Sequence, residues 1–141
     1  MPRVVFMSVH PRFVELIFSG KKKFELRRRG AGLNAGDIVY VYATSPEMAL
    51  RGRFVVNDVI HEKLPTLWSR VRNTAGISKK QFDEYFQGKE RGFAISVRDE
   101  MLLSPVPLAT LRKTWPGFHP PQSYRYLASQ EASSLARLGG L

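Results

Sequence analysis

Between Gly20 and Arg29 the sequence sets Lys21, Lys22, Lys23, Arg27, Arg28 and Arg29 against a single acid, Glu25. Six cations less one acid leave +5 in ten residues, half of the +10 carried by the whole chain. Cations at this density repel one another unless an anion lies among them. The segment therefore reads as a phosphate-binding edge. The competing reading is a solvated edge strand whose lysines block edge-to-edge aggregation. Glu25 narrows the chemistry, because an acid has no part in non-specific phosphate binding. It pairs with Lys23 or Arg27 and holds them in place, or it accepts a hydrogen bond from a base edge such as the cytosine amino group. A third role is general base.

Holding such groups in place takes a folded scaffold, and the composition supplies one. The chain has 141 residues, the size of one ordinary domain. Hydrophobic residues make up 43% and aromatics 11%, enough to fill a core. The surplus of cations points to a polyanionic partner, with solubility as the plainer explanation. With no Cys, thiol chemistry, disulfides and Cys-based zinc sites are excluded. No apolar run approaches the roughly 18 residues of a membrane span. MPRVVFMSVHPR carries no signal-peptide cleavage pattern, so a cytoplasmic location is expected.

The elements follow from period and punctuation. Residues 4–9, VVFMSV, predict a buried strand. Pro11 suits a first helical turn, Phe13, Val14, Ile17 and Phe18 form i,i+4 apolar pairs, and Gly20 ends the helix. Residues 22–29, KKFELRRR, alternate: Phe24 and Leu26 face one way, Lys23, Glu25 and Arg27 the other. Lys22 falls at the opposite phase to Glu25 unless a bulge intervenes. GAGLNAGD must turn. Strands are expected at 37–43 and 50–60, with Gly52 marking a bulge. Leu64 to Ala75 predicts a helix with Pro65 near its start and Gly76 just past its end. Ser78 to Gln81 is a capping box opening a second helix, with Phe82, Tyr85 and Phe86 on one face and Gly88 at its end. GFAISV at 92–97 returns to strand. LSPVPLATLRK predicts an extended stretch and a short helix, PGFHPPQSYRYL a constrained loop and then helix, and EASSLARL a final short helix. About five strands with short helices inserted make an α+β, mainly β protein, a mixed or antiparallel barrel with helices plugging its ends.

Gly20-x-Lys22-x-x-Glu25-x-Arg27 resembles the GxKxxExR signature of ASCH domains, which belong to the PUA-like superfamily. SVHPRFVELIFSGKKKFELRRR is similar to that family's opening strand, helix and second strand, GDIVYVYATSP to its third, and PPQSYRYL to the closing element of a bacterial and archaeal subgroup. The resemblance covers about residues 4–127, so 1–141 is expected to be one domain with a short C-terminal helix or tail at 128–141. It implies a PUA-like pseudobarrel with a cleft beside the signature strand, binding RNA or a nucleotide-like ligand and needing no cofactor. Lys22, Glu25 and Arg27 are the expected ligand contacts, with Gln122, Ser123, Tyr124 and Arg125 as the opposite wall. Tyr42, Trp68, Trp115, Tyr124 and Tyr126 are candidate stacking platforms. Trp68 reads as core, and Tyr124, after a Pro-Pro-Gln-Ser loop, is the better choice.

The alternative to binding is hydrolysis of RNA or of a modified nucleoside. Some ASCH relatives are amidohydrolases acting on N4-acetylcytidine through a Lys, a Thr and a Glu. Here the Lys matches Lys22, the Thr position matches Glu25, and the Glu position falls near Ala75, so only one of the three carries over. Ribonuclease activity is also associated with ASCH relatives. Lys22, Glu25 and His10 would supply a base and an acid if they converge. His10, His61 and His119 show no metal-ligand spacing, so no metal is expected. A protein-binding accessory module would need an exposed apolar patch, and LARLGGL is too short to make one.

Overall fold

The computed structural model describes residues 2–30 and 32–141; Met1 and Ala31, the latter inside the turn expected at 30–37, lie outside the described residues. The strand β1 (Val4–Val9) pairs in parallel with β3 (Ile38–Ala43), from Val4 opposite Ile38 to Val9 opposite Ala43. Both are near-continuous apolar runs because both of their faces are covered. Helix α1 (Pro11–Phe18) joins β1 to β2 (Phe24–Arg27). Gly20, at φ +81, takes the left-handed conformation that lets the chain leave α1, and the Leu16 carbonyl accepts the Lys21 and Lys22 N–H groups at 3.0 and 2.9 Å.

The remaining elements are β4 (Ala49–Lys63), α2 (Leu64–Val71), α3 (Lys79–Tyr85), β5 (Arg91–Pro107), α4 (Leu108–Thr114), β6 (Tyr124–Tyr126) and α5 (Ser129–Leu138). Among the described residues the six strands form one sheet in the order β2-β5-β4-β3-β1-β6. The long strands β4 and β5 slip register at Leu50/Gly52, Arg53/Val55 and Val56/Asp58. Each slip adds local twist, so the pair bends instead of lying flat.

Gly52 sits at the first slip, as its place in the sequence suggested. A Cβ there would lie 2.5 Å from the Phe18 ring and 2.8 Å from the Met101 carbonyl oxygen. Neither the packed ring nor the backbone has room to give. Gly52→Ala is therefore expected to destabilise the fold by about 1–3 kcal/mol, the ordinary cost of overpacking. A thermal unfolding midpoint equal to that of the parent would contradict this close packing.

Three apolar clusters hold the layers together. One lies inside the curved sheet beneath α1, around Val5, Met7, Val14, Ile17, Phe54 and Ile95. The second lies on the outer face of β1 and β3, where Phe6, Tyr40 and Tyr42 meet α4 and α5, with Leu135 of α5 fully buried. The third packs α2 and α3 on β2 and β5 through Leu26, Leu67, Val71, Phe82 and Phe86.

Three expectations are corrected. The sheet has six strands, not about five. The sixth comes from YRY, expected to be helical: it pairs antiparallel with the free edge of β1, Met7 opposite Tyr124. Three residues are too few to show a period, and the β1 edge decides the outcome. Helix α2 also stops at Val71 rather than running to Ala75. Residues 72–77 are irregular and turn back toward β2, so that the Thr74 carbonyl accepts the Lys23 N–H at 2.8 Å.

Candidate functional site

The sheet is not closed by backbone pairing, and Arg27 spans the gap between its edges. From β2, its guanidinium donates to Ser123 Oγ at 3.0 Å, beside β6, and to the Ser8 carbonyl of β1 at 3.1 Å. The same group donates to Glu25 Oε2 at 3.0 Å. Arg27 thus ties β2 to the paired β1 and β6 at the far edge of the sheet, which backbone pairing does not join to it, and its planar fork suits the task.

Lys22 converges on the same point. It lies just before β2, so the strand's alternation does not bind it, and the phase conflict read from the sequence disappears. Its residue is 2% exposed, and Glu25 is 5% exposed. The Lys22 amine donates to the Ala75 carbonyl, lies 3.9 Å from Glu25 Oε1 and sits 4.7 Å from the centre of the Phe13 ring. The early end of α2 is what frees the Ala75 carbonyl for this contact. Gly76 completes the seat: a Cβ there would come within 3.3 Å of the Lys22 side chain. Burial lowers the Lys22 pKa, Glu25 opposes the shift, and Arg27 and Arg12 add to it. The amine therefore gives up its proton more readily than an exposed lysine.

These charges form part of the wall of a cavity of about 320 Å³, lined also by Ser8, His10, Phe13, Ile77, Gln81 and Tyr85. Its volume is at the low end for a small-ligand site. His10 caps α1 by accepting the Arg12 N–H on Nδ1 at 3.1 Å, which places the neutral ring's proton on Nε2. A second cavity, about 770 Å³, shares Arg27 and Tyr85 with the first. Arg28, Arg29, Gly30, Lys89, Gln122, Ser123 and Tyr124 line the rest of it. The two are lobes of one cleft, a smaller one at the buried charges and a larger, basic one.

The residues singled out in the sequence divide accordingly. Lys22, Glu25, Arg27 and His10 meet at the smaller lobe, and Gln122, Ser123 and Tyr124 line the basic lobe. Arg125 is not brought to the cleft. It sits opposite Phe6 on the outer face of the sheet, pairs with Glu131 at 2.8 Å and lies over the Phe118 ring. Tyr42 is buried in the outer cluster, Trp68 packs on Phe82, Trp115 on Phe118, and Tyr126 lies beneath the Arg3 guanidinium. The aromatic walls of the smaller lobe are instead Phe13 and Tyr85, which the sequence reading placed on buried helix faces. Tyr85 carried a usable signal. Phe82 and Phe86 already form the i,i+4 core pair of α3, so the neighbouring Tyr is turned toward the rim, where its hydroxyl donates to the Leu26 carbonyl at 3.1 Å. Among the described residues no three His, Asp or Glu side chains gather as a metal-binding group.

Comparison with known proteins agrees with this architecture. The chain is 33% identical over 132 residues to an ASCH domain-containing ribonuclease of Zymomonas mobilis, covering 94% of this chain and 89% of the relative. It is similar to the crystal structure of ASCH from Zymomonas mobilis, with a TM-score of 0.91, 32% identity and coverage of 96% and 94% of the two chains. The N-terminal domain of Staphylothermus marinus McrB shares the fold alone, with a TM-score of 0.63 at 12% identity and coverage of 95% and 93%. The ASCH domain family model matches residues 7–99, and with its signature residues gathered at one cleft of a PUA-like fold, the chain belongs to the ASCH domain family.

Proposed function

We propose that this protein binds RNA in the cleft and cleaves it at the smaller lobe. The observation that carries the reading is the meeting of Lys22, Glu25 and Arg27 at the wall of a cavity that opens into a basic lobe. The ribonuclease name of the Zymomonas mobilis relative supports the same reading. The neutral Lys22 amine serves as the base. It takes the proton of a ribose 2′-hydroxyl, the 2′-oxygen forms a bond to the adjacent phosphorus, and the bond from phosphorus to the 5′-oxygen breaks. The 5′-oxygen leaves with a proton from water, and the product ends in a 2′,3′-cyclic phosphate. Glu25 and Arg27 position the amine and balance its charge. Exposed His10, with its proton on Nε2, donates to a phosphate oxygen at the mouth.

Hydrolysis of an acylated nucleoside fits less well. Beside Lys22 stand the Glu25 carboxylate and the Ala75 backbone carbonyl, where that chemistry uses a hydroxyl and a carboxylate.

The experiment is a pH profile of cleavage of a labelled RNA oligomer. The active amine is the neutral one, so its fraction, and kcat/KM with it, rises with pH. Burial moves that rise below 10.5, the ordinary lysine value. The products should carry cyclic phosphate ends, and a 2′-deoxy substitution at the scissile position should block the reaction. An oligomer left intact by the pure protein, or a profile flat in pH, would reject the proposed base.

A further inference from the structure

We infer that Gln81 selects the base seated in the smaller lobe, its side-chain amide donating to a ring carbonyl, so that uracil is taken in preference to cytosine. This rests on the reading that RNA enters that lobe.

The amide is oriented by the start of α3. Gln81 Oε1 accepts the Ser78 N–H at 2.9 Å, while Ser78 Oγ accepts the Gln81 N–H at 3.2 Å. A backbone N–H can be met only by the amide oxygen, so the cap fixes which way the amide faces. A free glutamine reads adenine with its oxygen and its nitrogen together; here the oxygen is taken and only donation is left. Among the described residues no acceptor takes the Gln81 amide N–H groups, and Gln81 lines the smaller lobe. Around it the Ser8 hydroxyl donates to the Pro121 carbonyl at 2.6 Å, the Tyr85 hydroxyl to the Leu26 carbonyl, the Lys22 amine to the Ala75 carbonyl, and Arg27 holds Glu25. Tyr85 stands four residues after Gln81, on the same face of α3, and lines the same lobe. A base lying on the Tyr85 ring therefore turns its edge toward the amide. Uracil and cytosine have the same size and stack alike. They differ at C4, which carries a carbonyl in one and an amino group in the other, and at N3. The Gln81 donor meets the uracil carbonyl, but against the cytosine amino group it sets donor on donor. Glu25, were it the selector, would choose the other way, since a carboxylate accepts from the cytosine amino group.

The test uses two deoxyribonucleotide octamers, each with one ribonucleotide, uridine or cytidine, as its cleavable position. Binding of uridine and cytidine 3′-monophosphate is measured beside them. The parent should favour uridine by about tenfold in kcat/KM and in affinity, the worth of a good contact to a base edge. Gln81→Glu keeps the cap, because glutamate is a usual partner of a capping serine, and replaces the free donor by an acceptor. Its unfolding midpoint should match the parent's, its added charge should weaken both ligands alike, and its preference should reverse to cytidine. The ratio of the two substrates is the readout, and a merely structural role for Gln81 would not move it. Gln81→Met, with no polar group at that place, should bring the ratio to within about twofold of unity. A parent that treats the two alike or favours cytidine would overturn the role, as would a folded Gln81→Glu protein that keeps the parent's ratio. Uridine preference in binding with neither octamer cleaved would leave Gln81 as the selector and overturn Lys22 as the base. If neither monophosphate binds and neither octamer is cleaved, the reading of the lobe falls, and the role of Gln81 with it.

Discussion

Arg27→Ala is expected to lower the unfolding free energy by about 3–5 kcal/mol, as breaking a buried charge pair does by stranding its partner. The Arg27 side chain is 14% exposed and the Glu25 side chain 7%. Its removal leaves Glu25 with only the 3.9 Å contact to Lys22, and leaves Ser123 Oγ and the Ser8 carbonyl without their donor. A domain is stable by about 5–15 kcal/mol, so the variant should fold but unfold at a much lower urea concentration. Arg27→Lys should recover only part of the loss, because an ammonium keeps the charge but cannot reach three acceptors as a flat fork does. Ser123→Ala, which removes one neutral partner of the guanidinium, should cost about 1–3 kcal/mol at most. A second readout separates this brace from a generic core contact. Arg27 helps to lower the Lys22 pKa, and Glu25 opposes that effect. Without Arg27 the lowering weakens and Glu25 acts on Lys22 alone, so the pH rise of cleavage should move upward. Unfolding at the parent's urea concentration would show that Arg27 does not tie the sheet's edges together.

The sequence made the scaffold legible where one force dominated. VVFMSV, IVYVYA and the Ser78 capping box became β1, β3 and the start of α3, because apolar period and local capping act over a few residues and meet no rival. Gly52 was readable as a bulge for the same reason. The site was legible as a set of charges but not as an arrangement. Strand alternation put Lys22 and Glu25 out of phase, and only the late start of β2 at Phe24 removes that conflict. Likewise, helical spacing carried α2 on to Ala75. Tertiary contact overrode it, since Lys23 and Lys22, just ahead of β2, gain the Thr74 and Ala75 carbonyls as acceptors only if the helix ends early. Arg125 failed for a different reason. With YRY read as helix, its alternation was invisible, and alternation is what sends Arg125 to the opposite face from Tyr124.

Lys22→Met should reduce RNA cleavage by about 10²–10⁴-fold, the usual worth of a positioned acid or base. Fold and function should separate in this variant. Methionine fills a similar length with apolar atoms, and Glu25 keeps its 3.0 Å bond to Arg27, so no buried charge is left alone. The Ala75 carbonyl loses its donor, a cost of about 1–3 kcal/mol, offset in part because a buried amine no longer has to be desolvated. Binding of the RNA oligomer should change only a few-fold, because the exposed cations Arg28, Arg29 and Lys89 lie in the other lobe. Lys22→Arg sharpens the contrast. Arginine retains the positive charge but cannot be deprotonated in a protein, so it can hold an anion and cannot act as a base. If Lys22 worked by charge alone, arginine would restore much of the rate; if it works by proton transfer, arginine should be as inactive as methionine. Full cleavage by a folded Lys22→Met protein would remove the amine from the reaction and leave it a structural partner of Ala75 and Glu25.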